Sequence, residues 1–104
     1  MAQVRWSLMG TRDMRDIEEF IARDSSLYAV AFVNRLVEVT RELAQFPRMG
    51  RVVPEFKREQ LREVVYRTYR IVYVVTDEEV VIIRIVHSAR DLRRVLGSEP
   101  WELQ

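Results

Sequence analysis

With 104 residues, about 12.4 kDa, and 48% apolar against 32% charged side chains, the chain has room for one folded domain, residues 1–104, with the balance of a soluble protein. It has no cysteine, one histidine and three glycines, which excludes disulfides, thiolate or multi-histidine metal centres and glycine-rich phosphate loops, so no cofactor or metal is expected. The net charge of +1 conceals a positive middle, residues 48–94, where ten arginines and one lysine face seven acids, followed by an acidic tail; this argues a local basic face on a near-neutral protein.

Val4-Arg5-Trp6 alternates as a short strand does. Met14, Ile17, Phe20 and Ile21 then recur at helical spacing, with Asp16, Glu18 and Glu19 opposite. Thr11 or Asp13 is the expected cap. Asp24-Ser25-Ser26 ends this helix and caps the next. There Ala29, Phe32, Val33, Leu36, Thr40, Leu43 and Ala44 form one stripe until Pro47 stops it. Two helices joined by a short polar turn predict an antiparallel hairpin. Phe46–Arg51 reads as a turn, and Pro54 keeps the next residues extended. Three strands are predicted next, Leu61–Arg67, Tyr69–Thr76 and the almost wholly apolar Val80–His87, the last two joined by Asp77-Glu78-Glu79. Ala89–Leu96 predicts a short helix closed by Gly97, and the tail carries Trp101 among acids. The order β-α-α-β-β-β with a short C-terminal helix is an α+β fold: an antiparallel meander with a helical hairpin on one face. Val80–Val86, the longest nearly apolar run, is too short to span a bilayer. The N-terminus lacks the apolar core of a secretory leader, so the expected location is cytoplasmic with no membrane contact.

Strand parity predicts Tyr69, Ile71, Tyr73 and Val75 on one face and Arg70, Val72 and Val74 on the other. In the last strand it sets Val81, Ile83, Ile85 and His87 against Val80, Ile82, Arg84 and Val86. A guanidinium inside an apolar strand must reach a partner or water. Because one hairpin covers one face, the other face is expected to stay open. Arg70 and Arg84, framed by Arg62, Arg67, Arg90 and Arg93, would then line a shallow basic groove for phosphate or an acidic peptide. The alternative is that Arg70 and Arg84 form structural ion pairs with Glu63, Glu79 or Asp91.

Leu61-Arg62-Glu63, the run Tyr69–Val75, and Val80–Leu92 with its H-x-x-R-D-L ending resemble the RelE/ParE toxin superfamily. Val4–Ser7, the two helical stripes and the turn Phe46–Arg51 with Pro54-Glu55 fit the same pattern, so the resemblance spans about residues 3–96. It implies the toxin of a type II toxin–antitoxin (plasmid stabilisation) module, which arrests growth and is neutralised by a cognate acidic antitoxin folding a segment along its groove. ParE-like members inhibit DNA gyrase; RelE-like members are ribosome-dependent mRNA endonucleases, or mRNA interferases, so fold alone does not choose. If the chain is RelE-like, the resemblance assigns the phosphate to Arg70 and Arg90. It assigns proton transfer to His87, whose unperturbed pKa lies nearest neutrality. For either target Arg62, Arg67, Arg70, Arg84, Arg90 and Arg93 are the expected contacts. The Phe-Pro-x-x-Gly-Arg turn, the absence of tyrosine from Asp91–Leu96 and the single lysine, Lys57, lean toward the gyrase-directed group. An inactive or non-catalytic binding module is the remaining alternative. Against the catalytic reading, His87 also suits a strand end bonded to Asp91 or backbone. Tyr66, Tyr69 and Tyr73 suit packing against the helices as well as base stacking.

Overall fold

The computed structural model describes residues Met1 to Gln104. In chain order it contains β1 (Gln3–Trp6), α1 (Leu8–Asp24), α2 (Ser26–Gln45), β2 (Arg51–Val52), β3 (Leu61–Tyr66), β4 (Tyr69–Val75), β5 (Glu79–His87) and α3 (Leu92–Leu96). This is the α+β order expected from the sequence, with β2 added inside a stretch that reads as turn and extended chain. The strands form one sheet in the order β1-β5-β4-β3-β2. β3, β4 and β5 are the antiparallel meander, while β1 lies parallel to β5, from Gln3 opposite Glu79 to Trp6 opposite Ile82. No helix is long and apolar enough to cross a membrane.

The first helix starts earlier than its apolar spacing suggests. Its cap is Ser7, not Thr11 or Asp13: the Ser7 hydroxyl accepts from Gly10 N at 3.0 Å and donates to Ile83 O at 3.0 Å. Gly10 permits this close start, since a Cβ there would stand 2.6 Å from Ile82 O. Ser25 caps α2 by accepting from Tyr28 N at 3.1 Å, and the helix ends at Gln45, before Pro47. Phe32, Leu36, Val39 and Leu43 of α2 pack on Ile71, Tyr73, Ile82 and Ile85, forming the core between hairpin and sheet.

Two expectations are corrected here. The second sheet face is closed by the chain itself: Val53, Leu61, Val72, Val74, Ile83 and Leu92 are buried there in a second apolar cluster. Phe56 from the β2–β3 loop, Val95 and Leu96 of α3, and Trp101 and Leu103 of the tail lie over it. The β2–β3 loop and the tail are irregular, so no periodicity announces them, and α3, expected over Ala89–Leu96 and formed over Leu92–Leu96, is too short for its spacing to show the face it buries. The parity of β5 also changes partway. A bulge aligns Val72 with Arg84 and Tyr73 with Ile82, leaving Ile83 unpaired. Val80, Ile82 and Ile85 therefore face the hairpin, and Val81, Ile83 and Val86 face away.

Candidate functional site

Arg70 sits on the strand face turned away from the helices, only 8% exposed. Its Nε donates to Glu63 Oε1 at 2.5 Å, and its two terminal nitrogens donate to the Glu55 carboxylate at 2.6 and 2.8 Å. Glu63, 1% exposed, accepts a further bond from Arg51 Nε at 2.6 Å. Two guanidiniums and two carboxylates thus form a network of zero net charge. The Arg70 fork beside Glu55, with Arg93 adding to it, holds the Glu55 carboxyl down at about 2. The same hydrogen bonds, Glu55 first and Glu63 next, raise the pKa of Arg70. Of the partners considered from sequence, Glu63 is the one Arg70 finds. Glu79 pairs instead with Arg5, and Asp91 caps α3 by accepting from Arg93 N at 3.1 Å.

Arg84 is drawn toward α1 by the bulge. Its Nε donates to Asp13 Oδ2 at 2.7 Å, and the same oxygen accepts Ile85 N at 2.9 Å. Asp13, expected as a helix cap, is the anchor of the bulge. Arg62 is likewise structural. It donates to the carbonyls of Glu59, Arg48 and Gly50 and pairs with the Glu59 carboxylate, pinning the turn before β2. In that turn Gly50 N donates to the Tyr73 hydroxyl at 3.0 Å, and burial pushes the Tyr73 phenol pKa up.

Arg67, Arg90 and His87 meet at one end of the sheet. Arg67 opens the two-residue β3–β4 turn at φ +54 and lies over the rings of Tyr28 and Tyr66, 5.8 and 5.6 Å from their centroids. Its bond to the Tyr66 hydroxyl raises its pKa. His87 is exposed, stands opposite Tyr69 and meets that ring edge-on, 5.6 Å between centroids. Its Nδ1 accepts from Ala89 N at 3.1 Å, so the neutral ring carries its proton on Nε2. Ser88 N donates to Thr68 O at 2.7 Å and Arg90 N to His87 O at 3.0 Å, which seats the Arg90 turn against the Arg67 turn. Between this end and the helices lies an open cleft of about 180 Å³, lined by Ile21, Tyr28, Phe32, Tyr66, Arg67 and Tyr69. Arg93 stands apart, donating to Glu55 O at 3.3 Å beside the Arg70 network.

The six arginines expected to share one groove are therefore distributed over four places: the Arg62 turn, the Asp13–Arg84 bulge, the Arg70–Arg93 side and the Arg67–Arg90 end. Tyr28 joins the last of these without having been expected there. An exposed tyrosine off the apolar stripe of a helix gives no signal until the β3–β4 turn is laid beside it. No group of three or more His, Asp or Glu stands close enough to hold a metal ion.

Residues 4–92 match the family model described as ParE toxin of type II toxin–antitoxin system, parDE. Toxin RelE2 of Caulobacter vibrioides is 38% identical over 90 residues, which cover 86% of this chain and 99% of that protein. The fold is shared with a chain of a chromosomal ParDE toxin–antitoxin system from P. aeruginosa, with a TM-score of 0.67 at 20% identity, over 84% of this chain and 96% of that one.

Proposed function

The chain belongs to the ParE toxin family of type II toxin–antitoxin systems, and on that footing we propose that it arrests bacterial growth by inhibiting DNA gyrase and is silenced by a cognate antitoxin. The observation that carries this reading is the condition of Arg70. Cleaving RNA at a 2′-hydroxyl needs a cation on the scissile phosphate, a base for the hydroxyl and an acid for the leaving oxygen. Here the strand arginine assigned to the phosphate is buried and neutralised by Glu55 and Glu63. The one histidine holds a backbone N–H on Nδ1. What faces water instead is a cationic and aromatic surface, with Arg67 over Tyr28 and Tyr66, and Arg90 beside it. Such a surface suits docking on a large partner better than proton transfer.

The antitoxin reading rests on the outer face of α2. Leu27, Val30 and Val37 are 74%, 57% and 44% exposed there, next to a cleft of about 260 Å³ between the helices lined by Trp6, Met14, Val33 and Leu36. An amphipathic acidic segment laid along this face would cover it, ordering as it binds. With the second sheet face closed, the hairpin replaces the sheet groove as the antitoxin's seat.

Inducing the chain in a bacterium without antitoxin tests the reading. The expected result is growth arrest with a DNA-damage response and intact transcripts, together with loss of supercoiling by purified gyrase. Arg67→Ala is expected to lower toxicity at least tenfold while leaving the fold intact. Loss of mRNA without DNA breaks overturns the gyrase target. It would favour the second reading, a ribosome-dependent mRNA endonuclease, which the relative named Toxin RelE2 and the pairing of His87 with the Arg90 turn support. The decisive observation is then primer extension showing cuts within codons.

A further inference from the structure

Arg67, Arg90, Arg93, Arg94 and Lys57 are exposed, and none of them pairs with a carboxylate. The fold gathers them on one side. Leu92, Val95 and Leu96 turn α3 toward the apolar cluster, so Arg93 and Arg94 turn outward. Arg93 donates to Glu55 O at 3.3 Å, which ties α3 to the loop that carries Lys57 two residues on. At the other end of the row, Ser88 N donates to Thr68 O at 2.7 Å and holds the Arg90 turn against the Arg67 turn. Asp91 and Leu92 alone separate Arg90 from Arg93 in the chain, so the row runs from the β3–β4 turn across the start of α3 to the β2–β3 loop.

The nearby carboxylates do not cancel this charge. Glu55 is taken by Arg70, Glu99 by Arg58, and Asp91 accepts from Arg93 N as the cap of α3. The unpaired arginines of α1, by contrast, share their helix with Asp16, Glu18, Glu19 and Asp24. Both non-glycine residues with left-handed backbone, Lys57 and Arg67 at φ +54, belong to the row. Glycine or asparagine suits such a position better, so each turn tip holds a long cation at a conformational cost. The aromatic anchors that suit a protein partner, Tyr28 and Tyr66, lie only at the Arg67 end. Beyond it the exposed neighbours are Ser88, Ala89 and Asp91, with no large apolar side chain among them. Cations at intervals without an apolar anchor suit a phosphate backbone.

We propose that the row from Arg90 through Arg93 and Arg94 to Lys57 lies on the phosphate backbone of duplex DNA, beside the protein contact made by the Arg67 end. The choice of DNA rests on the gyrase reading; the cationic row itself does not. The contact is to phosphates and is independent of base sequence, and each cation engaged releases condensed counterions.

Titrating the full chain against a labelled mixed-sequence DNA duplex, over a series of salt concentrations, tests this. The logarithm of the affinity is expected to fall with the logarithm of salt at a slope of about −3 to −4, as four phosphate contacts require. Lys57→Gln combined with Arg94→Gln is expected to reduce that slope by about 2 and to weaken binding at least roughly tenfold at low salt. Both side chains are exposed, so circular dichroism should show the parental fold. No binding at low salt, or an unchanged slope in the double variant, overturns the proposal. Poly-glutamate bound as tightly as the duplex overturns it too, as does an RNA bound more tightly than the DNA. Gyrase supercoiling assays separate this proposal from the gyrase reading. A chain that binds the duplex as expected but leaves gyrase active refutes the gyrase target and leaves the DNA row standing. A chain that inhibits gyrase without binding the duplex refutes the row alone.

Discussion

Replacing Arg70 by methionine separates a structural network from a phosphate site. In Arg70→Met, Glu63 remains at 1% exposure, and its one remaining partner is Arg51, whose side chain is 61% exposed. A water-facing guanidinium compensates a buried carboxylate by no more than about 1 kcal/mol. Most of the desolvation penalty then stands, and the variant should lose about 3–5 kcal/mol. Glu63→Leu alone is milder, about 1–2 kcal/mol, because Arg70 keeps its bidentate bond to Glu55. Making both changes removes both deeply buried charges, while Glu55 and Arg51 turn to water. The double variant should return to within about 1 kcal/mol of the parent. Urea unfolding at pH 7 gives the four stabilities, and the coupling between the two positions should be at least about 2 kcal/mol. Each kcal/mol also lowers the melting midpoint by roughly 4–8 °C in a domain of this size. A double variant that loses the sum of the single losses, or an Arg70→Met loss below about 0.5 kcal/mol, refutes the reasoning. Under the gyrase reading the double variant still arrests growth. If it is stable yet harmless, Arg70 acts on a ligand after all.

The Glu55 carboxyl, lowered from 4.5 to about 2 by the Arg70 fork, makes the network sensitive to acid. A depressed carboxylate stabilises the fold above its unfolded pKa, and that contribution fades as pH falls through 4.5 toward 2. Glu55→Gln should thus be about 1–2 kcal/mol less stable than the parent at pH 7, allowing for solvent screening, with the difference closing by pH 2; a difference constant across that range in urea titrations contradicts the assignment. Ser7→Ala removes a helix cap and a buried bond to Ile83 O, so thermal melts should show a loss of about 1–2 kcal/mol, and an unchanged midpoint would count against Ser7 as the cap. Asp13→Ala leaves Arg84 and the Ile85 amide without their partner, for a loss of about 2–4 kcal/mol; less than about 0.5 kcal/mol would mean that the bulge holds by itself.

Alternation in Leu61–Arg67, aromatic and β-branched content in Tyr69–Thr76 and the nearly apolar run from Val80 make the meander legible. The three runs beginning at Leu61, Tyr69 and Val80 are strands within a residue or two of their expected limits, and Ser25 and Pro47 bound α2 as their chemistry requires. The features that stay hidden have physical causes as well. Ser7 gives no signal because its cap bond depends on Gly10 fitting against β5, a tertiary contact. The bulge at Ile83 carries no mark in the run of Val and Ile before it, yet it takes Arg84 out of the alternation of Val80 and Ile82, and Arg84 meets Asp13. Arg70 reads from the sequence as a charge needing a partner, with Glu63 among the candidates. Glu55 completes the pair from a loop whose path follows Phe56 and the tail, and single anchors of this sort have no period. The cleft under Arg67 is concealed for the same reason, since Tyr28 and the β3–β4 turn are distant in sequence.

The parallel bond between β1 and β5 ties the first few residues to the last strand made. Because Gln3–Trp6 has β5 as its only strand neighbour, and α1 starts on Ser7 by leaning on Ile82 and Ile83 of that strand, neither is secured until residues near 79–87 exist. Long-range closures of this kind come late in folding. A chain released before Glu79 therefore keeps the β3–β4 hairpin but lacks the strand against which β1 and the start of α1 rest, and half of the surface that the helical arm covers is missing.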